Sequence, residues 1–496
     1  MKTCTFTICL LWITISNSQE KQSLLSIAQM HSDLAILKSA LISLHPGTYR
    51  YLTKSQLDRY FQEIKIQTNK PLGTDEYYLK LSQLTAKLKC GHTYLNPYNQ
   101  KKALTIQFQS NLVIPLLFKV VGKKIIVTHN LSEQAQIKAG DEIVSINGET
   151  STEIIDSLLT VSRSDGKHGW NKKLDNIGIS PYLTNKDRYA LFDIYFQLFF
   201  AKNPPPDYYK IIVKHFNKSE VIKYNLRIIS KQMRQQRYQD RFETGFMQPT
   251  ASFDLVSPQC GYFKIRDFND KGWGKNYDCY LDSIFIKLKN IKASQLIVDI
   301  RDNEGGDDDV RNKVISYLIT GPAYYKIRQY FKFLKVPDSL MPYLQTWDPS
   351  FKSPKRASDY ERTEASLYYK KRTSSAQSII PNPNHFTGQV YLLTNAANSS
   401  SSFFMADILQ ENKYAKLVGE ATGGTKQGIN GGQFLFLYLP SSGIEIDIPI
   451  IYQAPIKSRR DEGIKPDIPV RTKASDIAAG VDAQLNYIIS HLLSSK

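Results

Sequence analysis

Ser399, Ser400, Ser401 and Ser402 stand in a row between an apolar run, Val390 to Leu393, and a helical stretch from about Phe403. A hydroxyl at a strand-to-helix turn is presented at the edge of a sheet with its side chain exposed. The helix behind it offers unpaired N–H groups and the positive end of a dipole, both favourable to a developing oxyanion. The pattern therefore suits acyl transfer, although serine is also a preferred N-cap and the row can simply start a helix. A second apolar run, Ala415 to Val418, follows the helix and ends in GEATGG. Upstream, LIVDIRDNEGG reads as a strand entering a glycine turn at Gly305 and Gly306. Glycine there lets the backbone approach a carbonyl without a Cβ clash. No HExxH or clustered His/carboxylate motif points to a metal, and no GxxxxGKS loop points to a bound phosphate.

These residues need a scaffold, and the chain supplies three patterns. From 19 to about 100 the leucines fall at helical spacing: Leu34, Leu37, Leu41 and Leu44, then Tyr77, Leu81, Leu84 and Leu88. This predicts a helical N-terminal domain that closes on KLKCGHTYLNP. From 101 to 228 short β segments take over: ALTIQF, VIPLLFKVVG, KIIVTH, YYKIIVKHF and VIKYNLRII. Between them Gly140-Asp141 turns into a strand, Glu142 to Ile146, and Asn147-Gly148 signals a hairpin. That stretch resembles a PDZ domain, which captures extended peptides by strand addition, with an insertion before Tyr208. From 229 to 496 strands alternate with helical stretches, Tyr280 to Lys289 and Val310 to Leu318 among them, which argues for an α/β layer structure. The Pro-punctuated, aromatic segment 330–385 reads as an insertion that could cover a site.

Composition narrows the class. The chain has 496 residues and a formal charge of +18. Its Lys and Arg are scattered and form no long tract, so nucleic acid is not the expected partner. Residues 1–18 have the form of a secretory signal: Lys2, an apolar run from Thr5 to Ile15, and Ser16-Asn17-Ser18 as a small-x-small cleavage site. No later run is long enough to span a membrane, so the mature chain is expected to be exported without an integral span, to a periplasmic, outer-surface or extracellular location. Cys90, Cys260 and Cys279 remain after cleavage, an odd number that leaves at least one free thiol or an intermolecular bond.

GHTYLNP, GDEIVSING, LIVDIRDNEGG, NSSSSFFMADILQ, GEATGG and DEGIKPDIPV occur in this order. Together they resemble the C-terminal processing (tail-specific) serine protease family, in particular its tricorn-like and interphotoreceptor retinoid-binding-like branch. The signal segment and the phrases QGINGGQF and IEIDIPI are most similar to exported members of Bacteroidetes-type bacteria. The resemblance implies an α/β fold with a helical N-terminal domain, a PDZ-like β domain and a ClpP/crotonase-like catalytic domain. It implies an exported serine endopeptidase that acts on peptide or protein substrates through an acyl-enzyme, without cofactor or metal. The family's nucleophile lies nineteen positions before the Gly of its GE pair, which gives Ser400 from Gly419, with Ser399, Ser401 and Ser402 as close rivals. The oxyanion donors would be the N–H of Ser401 and that of Gly305 or Gly306. Two bases occur in the family, which leaves His92 of GHTY and, as the alternative, Lys426 beside Thr425. Asp461 or Glu462 would orient the histidine. A different class remains open, because retinoid-binding relatives use this fold as a non-catalytic binding module for peptides or apolar ligands.

Overall fold

The computed structural model describes residues 24–101, 112–200, 207–242, 250–274, 276–371 and 377–493. The expected signal segment and the ALTIQF strand lie outside them. The chain begins with three helices, Ile27–Leu44, Lys54–Gln67 and Thr74–Ala86. Ser26 and Thr53 each accept the N–H of a Gln three residues on while that Gln returns a bond to the cap, so two orphan donors are satisfied at each start. Leu34, Leu37, Leu41 and Leu44 are all fully buried, as their spacing predicts.

An antiparallel sheet follows, built from strands Leu116–Val121, Lys124–Asn130, Glu142–Ile146, Tyr208–Lys214 and Val221–Arg227, in that spatial order. The hairpin read at Asn147-Gly148 is present: Ile146 pairs Glu149, and both turn residues have positive φ, 54° and 97°. That combination is the two-residue turn whose twist matches the strands. The long connection before Tyr208 folds into helices Trp170–Ile177 and Leu191–Phe200. Arg234, fully buried, reaches Asp193 with two hydrogen bonds of 3.0 and 2.6 Å and fastens helix Lys231–Phe242 to this layer.

The C-terminal half is organised by a six-stranded sheet, Ile468–Pro469, Lys416–Gly419, Gln389–Thr394, Gln295–Asp299, Cys260–Ile265 and Ala251–Ser257. All neighbours are parallel except the last pair. Helices Tyr277–Asn290, Asp308–Ser316 and Ser400–Glu411 connect the strands, as the alternating pattern predicts. Strands Gln295–Asp299 and Gln389–Thr394 lie side by side in register, Asp299 opposite Leu393. The turns that leave their C-terminal ends therefore meet, and those are the DNEGG turn and the serine row. A crevice at the carboxyl ends of parallel strands is where open α/β sheets bind ligands.

Segment 330–385 does not stand apart as a loose cover. Strand Ile327–Phe331 pairs with Ile451–Pro455, and Leu344–Gln345 adds to the hairpin Phe434–Tyr438/Glu445–Pro449. Its prolines fall in 3-10 turns and connections, where a missing N–H costs nothing. Among the described residues no helix is long and apolar enough to cross a membrane. Cys90, Cys260 and Cys279 are free thiols, the first two buried.

Candidate active site

The four serines are not equivalent. Ser399 Oγ donates to the Glu304 carbonyl at 3.2 Å. Ser401 Oγ lies 2.8 Å from the Gly306 carbonyl and against Asp308, fully covered. Ser402 Oγ, also fully covered, lies 2.7 Å from the Asn303 carbonyl and 2.8 Å from that of Ser399. These three hydroxyls knit the helix start to the glycine turn. Ser400 is part-exposed and its hydroxyl has no protein partner among the described residues. Its φ is +52°, a left-handed conformation that a non-glycine residue adopts at a cost of order 1–3 kcal/mol. Strain of this kind persists only where the surroundings over-determine it, and it recurs at turns that lift a nucleophile off a strand.

What over-determines it is visible. Asn398 Nδ2 donates to the Ile300 carbonyl and, at 3.1 Å, to that of Asn303, clamping the two turns together. Gly423 and Gly424 N–H groups both reach the Asn398 carbonyl, at 2.8 and 3.1 Å, so GEATGG closes over the elbow. Gly305 presses directly on it: a Cβ there would lie 2.7 Å from Ser400 Cβ and 2.9 Å from Ser401 N. Its N–H is spent on Asn303 Oδ1 at 2.8 Å. The Gly306 and Ser401 N–H groups donate to nothing among the described residues. Two free donors thus flank a free hydroxyl, the arrangement that stabilises a tetrahedral oxyanion. Gly305→Ala combines a φ of +117° with that clash. We expect it to lower kcat/KM at least a hundredfold and to depress Tm, checked by peptide hydrolysis and a thermal melt.

His92 sits on the loop after the third helix, and that loop is braced from four sides. Gly91 N–H donates to Asp165 Oδ1 at 2.9 Å, and Arg163 Nη1 donates to the Gly91 carbonyl at 2.9 Å. Tyr78 Oη holds the Leu95 carbonyl at 2.9 Å, and Asp447 N–H holds that of Tyr94 at 3.0 Å. The imidazole lies beside Phe434, ring centroids 5.8 Å apart, and its Nδ1 is buried with no hydrogen-bond partner. Burial lowers its pKa below the ordinary histidine value, opposed by the negative charge of Asp165 and Glu304 and reinforced by Arg163 and Lys172. No hydrogen bond joins it to Ser400, which an unliganded site does not require.

The other residues picked from sequence are placed elsewhere. Asp461 accepts from Tyr51 Oη (3.1 Å), Thr425 Oγ1 (2.8 Å) and the Lys167 N–H (2.8 Å). Glu462 pairs with Lys465 at 2.9 Å, and Lys426 Nζ is 4.0 Å from it. Neither acid is brought to the free Nδ1 of His92, and Lys426 turns toward Glu462. The charges around the imidazole instead come from Arg163, Asp165, Lys172 and Glu304. Glu304 sits in the recognised DNEGG segment and was open to detection. Lys172, in GWNKKLD, carried no signal. It is buried, meets Glu304 Oε1 at 2.5 Å and donates to the Ala397 carbonyl at 3.2 Å, linking helix Trp170–Ile177 to the elbow. Lys172 first, then Arg163, holds the Glu304 carboxyl well below the usual range. A cleft of about 510 Å³ runs between the antiparallel sheet and the six-stranded sheet and reaches the elbow through Glu304 and Ala397.

Behind the His92 loop, Glu445 is fully buried beside Asp447, whose carboxylate accepts from Asn96 and Asn99 at 2.8 and 3.0 Å. Burial, then the neighbouring Asp447, pushes the Glu445 carboxyl up to about 11. Its folded value is above the ordinary 4.5, so its contribution to stability is full below that pH and drains away as pH rises. Glu445→Gln keeps the shape and removes the titration. We expect its Tm to exceed that of the parent by a few degrees at pH 8 and the gap to close near pH 4, read by thermal melts across that range.

Comparison with known proteins fits this geometry. Residues 259–470 match the model of Peptidase family S41. The structure of mature CPAF complexed with lactacystin superposes with a TM-score of 0.61 at 13% identity, covering 91% of this chain and 95% of that one. Mature CPAF alone gives 0.60 at 13% identity over 91% and 94%. The photosystem II D1 C-terminal processing protease matches with a TM-score of 0.43 and 15% identity over 92% and 98%. No curated protein sequence matches the chain. The likeness to CPAF concerns the fold, and the match of residues 259–470 to the Peptidase family S41 model covers the strands and turns that build the elbow: in this part the chain is similar to family S41, and it is a serine-type peptidase.

Proposed function

We propose that the chain is an exported endopeptidase in which Ser400 is the nucleophile, His92 the base, and the N–H groups of Ser401 and Gly306 the oxyanion donors. The observation that carries this reading is the selective freedom of one hydroxyl. Three serines of the row are tied to carbonyls, while Ser400 alone is strained, unpaired and flanked by unused N–H donors.

In the acylation step Ser400 Oγ attacks the peptide carbonyl carbon and its proton passes to a neutral His92. The tetrahedral oxyanion is held by the two N–H groups. Collapse breaks the C–N bond, and the imidazolium returns the proton to the leaving amine. Water repeats the sequence on the acyl-enzyme and releases the acid. A depressed imidazole pKa keeps His92 neutral at pH 7, and Asp165 and Glu304 favour the imidazolium while it is needed. The antiparallel sheet, read from sequence as PDZ-like, would present an extended segment to the cleft. Labelling the purified protein with a serine-reactive fluorophosphonate and mapping the adduct tests the assignment. Modification confined to Ser400 is expected; an adduct on Ser399, Ser401 or Ser402 overturns it.

A further inference from the structure

Strand Phe434–Tyr438 alternates cleanly. Leu435 and Leu437 are fully buried, while Phe434 and Phe436 face outward and are half-buried. On that outer face lies Trp347, contributed by the inserted segment, with ring centroids 5.4 Å from Phe434 and 5.2 Å from Phe436. Its seat is built: Leu344 and Gln345 pair with Leu437 and Phe436, and Thr346 Oγ1 donates to the Phe434 carbonyl at 2.9 Å. Yet the indole is 61% exposed. Three aromatic rings therefore present a continuous apolar shelf to solvent, and its inner end is Phe434, 5.8 Å from the His92 ring. Gly431 borders the same imidazole, where a Cβ would come within 3.5 Å of it, so no side chain there separates ring and shelf.

This position has a chemical meaning, which rests on the reading of His92 as the base. The imidazolium must hand its proton to the leaving amine, so that nitrogen is within hydrogen-bond reach of His92 when the C–N bond breaks. The side chain on the same residue then lies over whatever flanks the imidazole. From the run Phe434–Trp347–Phe436 along this side, we infer that the enzyme selects substrates with a large apolar, above all aromatic, side chain on the residue immediately after the scissile bond. Offset and edge-to-face aromatic contacts suit rings at these spacings. Burying such a side chain is worth enough to separate Phe from Ser by about ten- to a hundredfold in kcat/KM.

The test begins with the wild-type protein and denatured casein as probe, the new N-termini being read by mass spectrometry. Phe, Tyr, Trp and Leu are expected to be enriched at the first position of the released fragments. Two peptides built on one observed site, with Phe or Ser after the scissile bond, then give a kcat/KM ratio. That ratio is expected to fall about tenfold in Trp347→Ser and in Phe436→Ser and to stay near the parent value in Trp347→Phe. A readout that needs no variant is capture of the acyl-enzyme by added amines: phenylalaninamide should outcompete serinamide. Equal cleavage of the two peptides, or a preference untouched by the substitutions, overturns the inference. Fluorophosphonate labelling of wild type separates the two levels: labelled Ser400 without an aromatic preference refutes only the shelf, whereas unlabelled Ser400 refutes the mechanism beneath it.

Discussion

Ser400→Ala is expected to abolish peptide hydrolysis, by about 10⁶-fold in kcat if the serine and base act as a unit, while Tm changes little. The hydroxyl makes no hydrogen bond within the protein, so its loss leaves no buried group unpaired, and removal of a part-exposed oxygen falls in the range of about 0.5 kcal/mol for surface changes. Its neighbours give the opposite pattern. Ser401→Ala removes the bridge to the Gly306 carbonyl and Asp308, and Ser402→Ala removes bonds to Asn303 and Ser399. Both sites are fully buried, so each should cost about 1–3 kcal/mol of stability with a partial loss of activity. Measuring hydrolysis and thermal melts on the three variants side by side checks the contrast. A Ser400→Ala protein that still turns over, or one that is badly destabilised, refutes the role given to this hydroxyl.

Why the row could be found in the sequence but not resolved there is a matter of range. Strand, serine turn and helix are local, and their periodicity places them without knowledge of anything else in the chain. The helix itself was expected from about Phe403 and starts at Ser400, because the serines enter its first turn with Ser399 as the N-cap residue. Which serine is free depends on carbonyls of Asn303, Glu304 and Gly306, some hundred residues earlier, and no local pattern encodes that contact. The same holds for the surroundings of His92. Asp461 and Glu462 looked suited to it because they precede a recognised segment, yet their partners are Tyr51, Thr425 and two lysines. Lys172 reaches the site from a stretch read only as an insertion before Tyr208, because that stretch folds into a helix docked on the elbow, while Arg163 and Asp165 come from the turn that leads into this helix. The inserted segment 330–385 was legible as irregular and aromatic. Its pairing with the 434–449 hairpin, which seats Trp347 against Phe434 and Phe436, comes from long-range register that the segment alone cannot specify.

The second large effect concerns His92. Its replacement by Ala is expected to lower kcat by at least about 10³-fold, because the nucleophile then has no positioned proton acceptor. The pH dependence identifies the base. An imidazole accepts the serine proton only when neutral, so kcat/KM must rise with pH through the histidine pKa and then level off. Burial holds that pKa below 6.5, with Arg163 and Lys172 acting in the same direction. The rising limb is therefore expected on the acid side of the ordinary histidine value, with the plateau already reached near neutrality. Asp165 opposes the shift, so Asp165→Asn, whose amide oxygen can still accept the Gly91 N–H, should move the limb to still lower pH. Lys426 predicts otherwise. Its ammonium stands 4.0 Å from Glu462, and a base of the lysine type has an ordinary reference value far above that of histidine, which would place the limb higher. Parallel kcat/KM profiles from pH 4.5 to 9.5 for wild type, His92→Ala, Lys426→Ala and Asp165→Asn discriminate the two. A wild-type limb above about pH 8.5, lost in Lys426→Ala and kept in His92→Ala, would assign the base to the lysine; a limb below 6.5 that responds to Asp165 can belong only to a group that feels that carboxylate, and among the two candidates that group is His92.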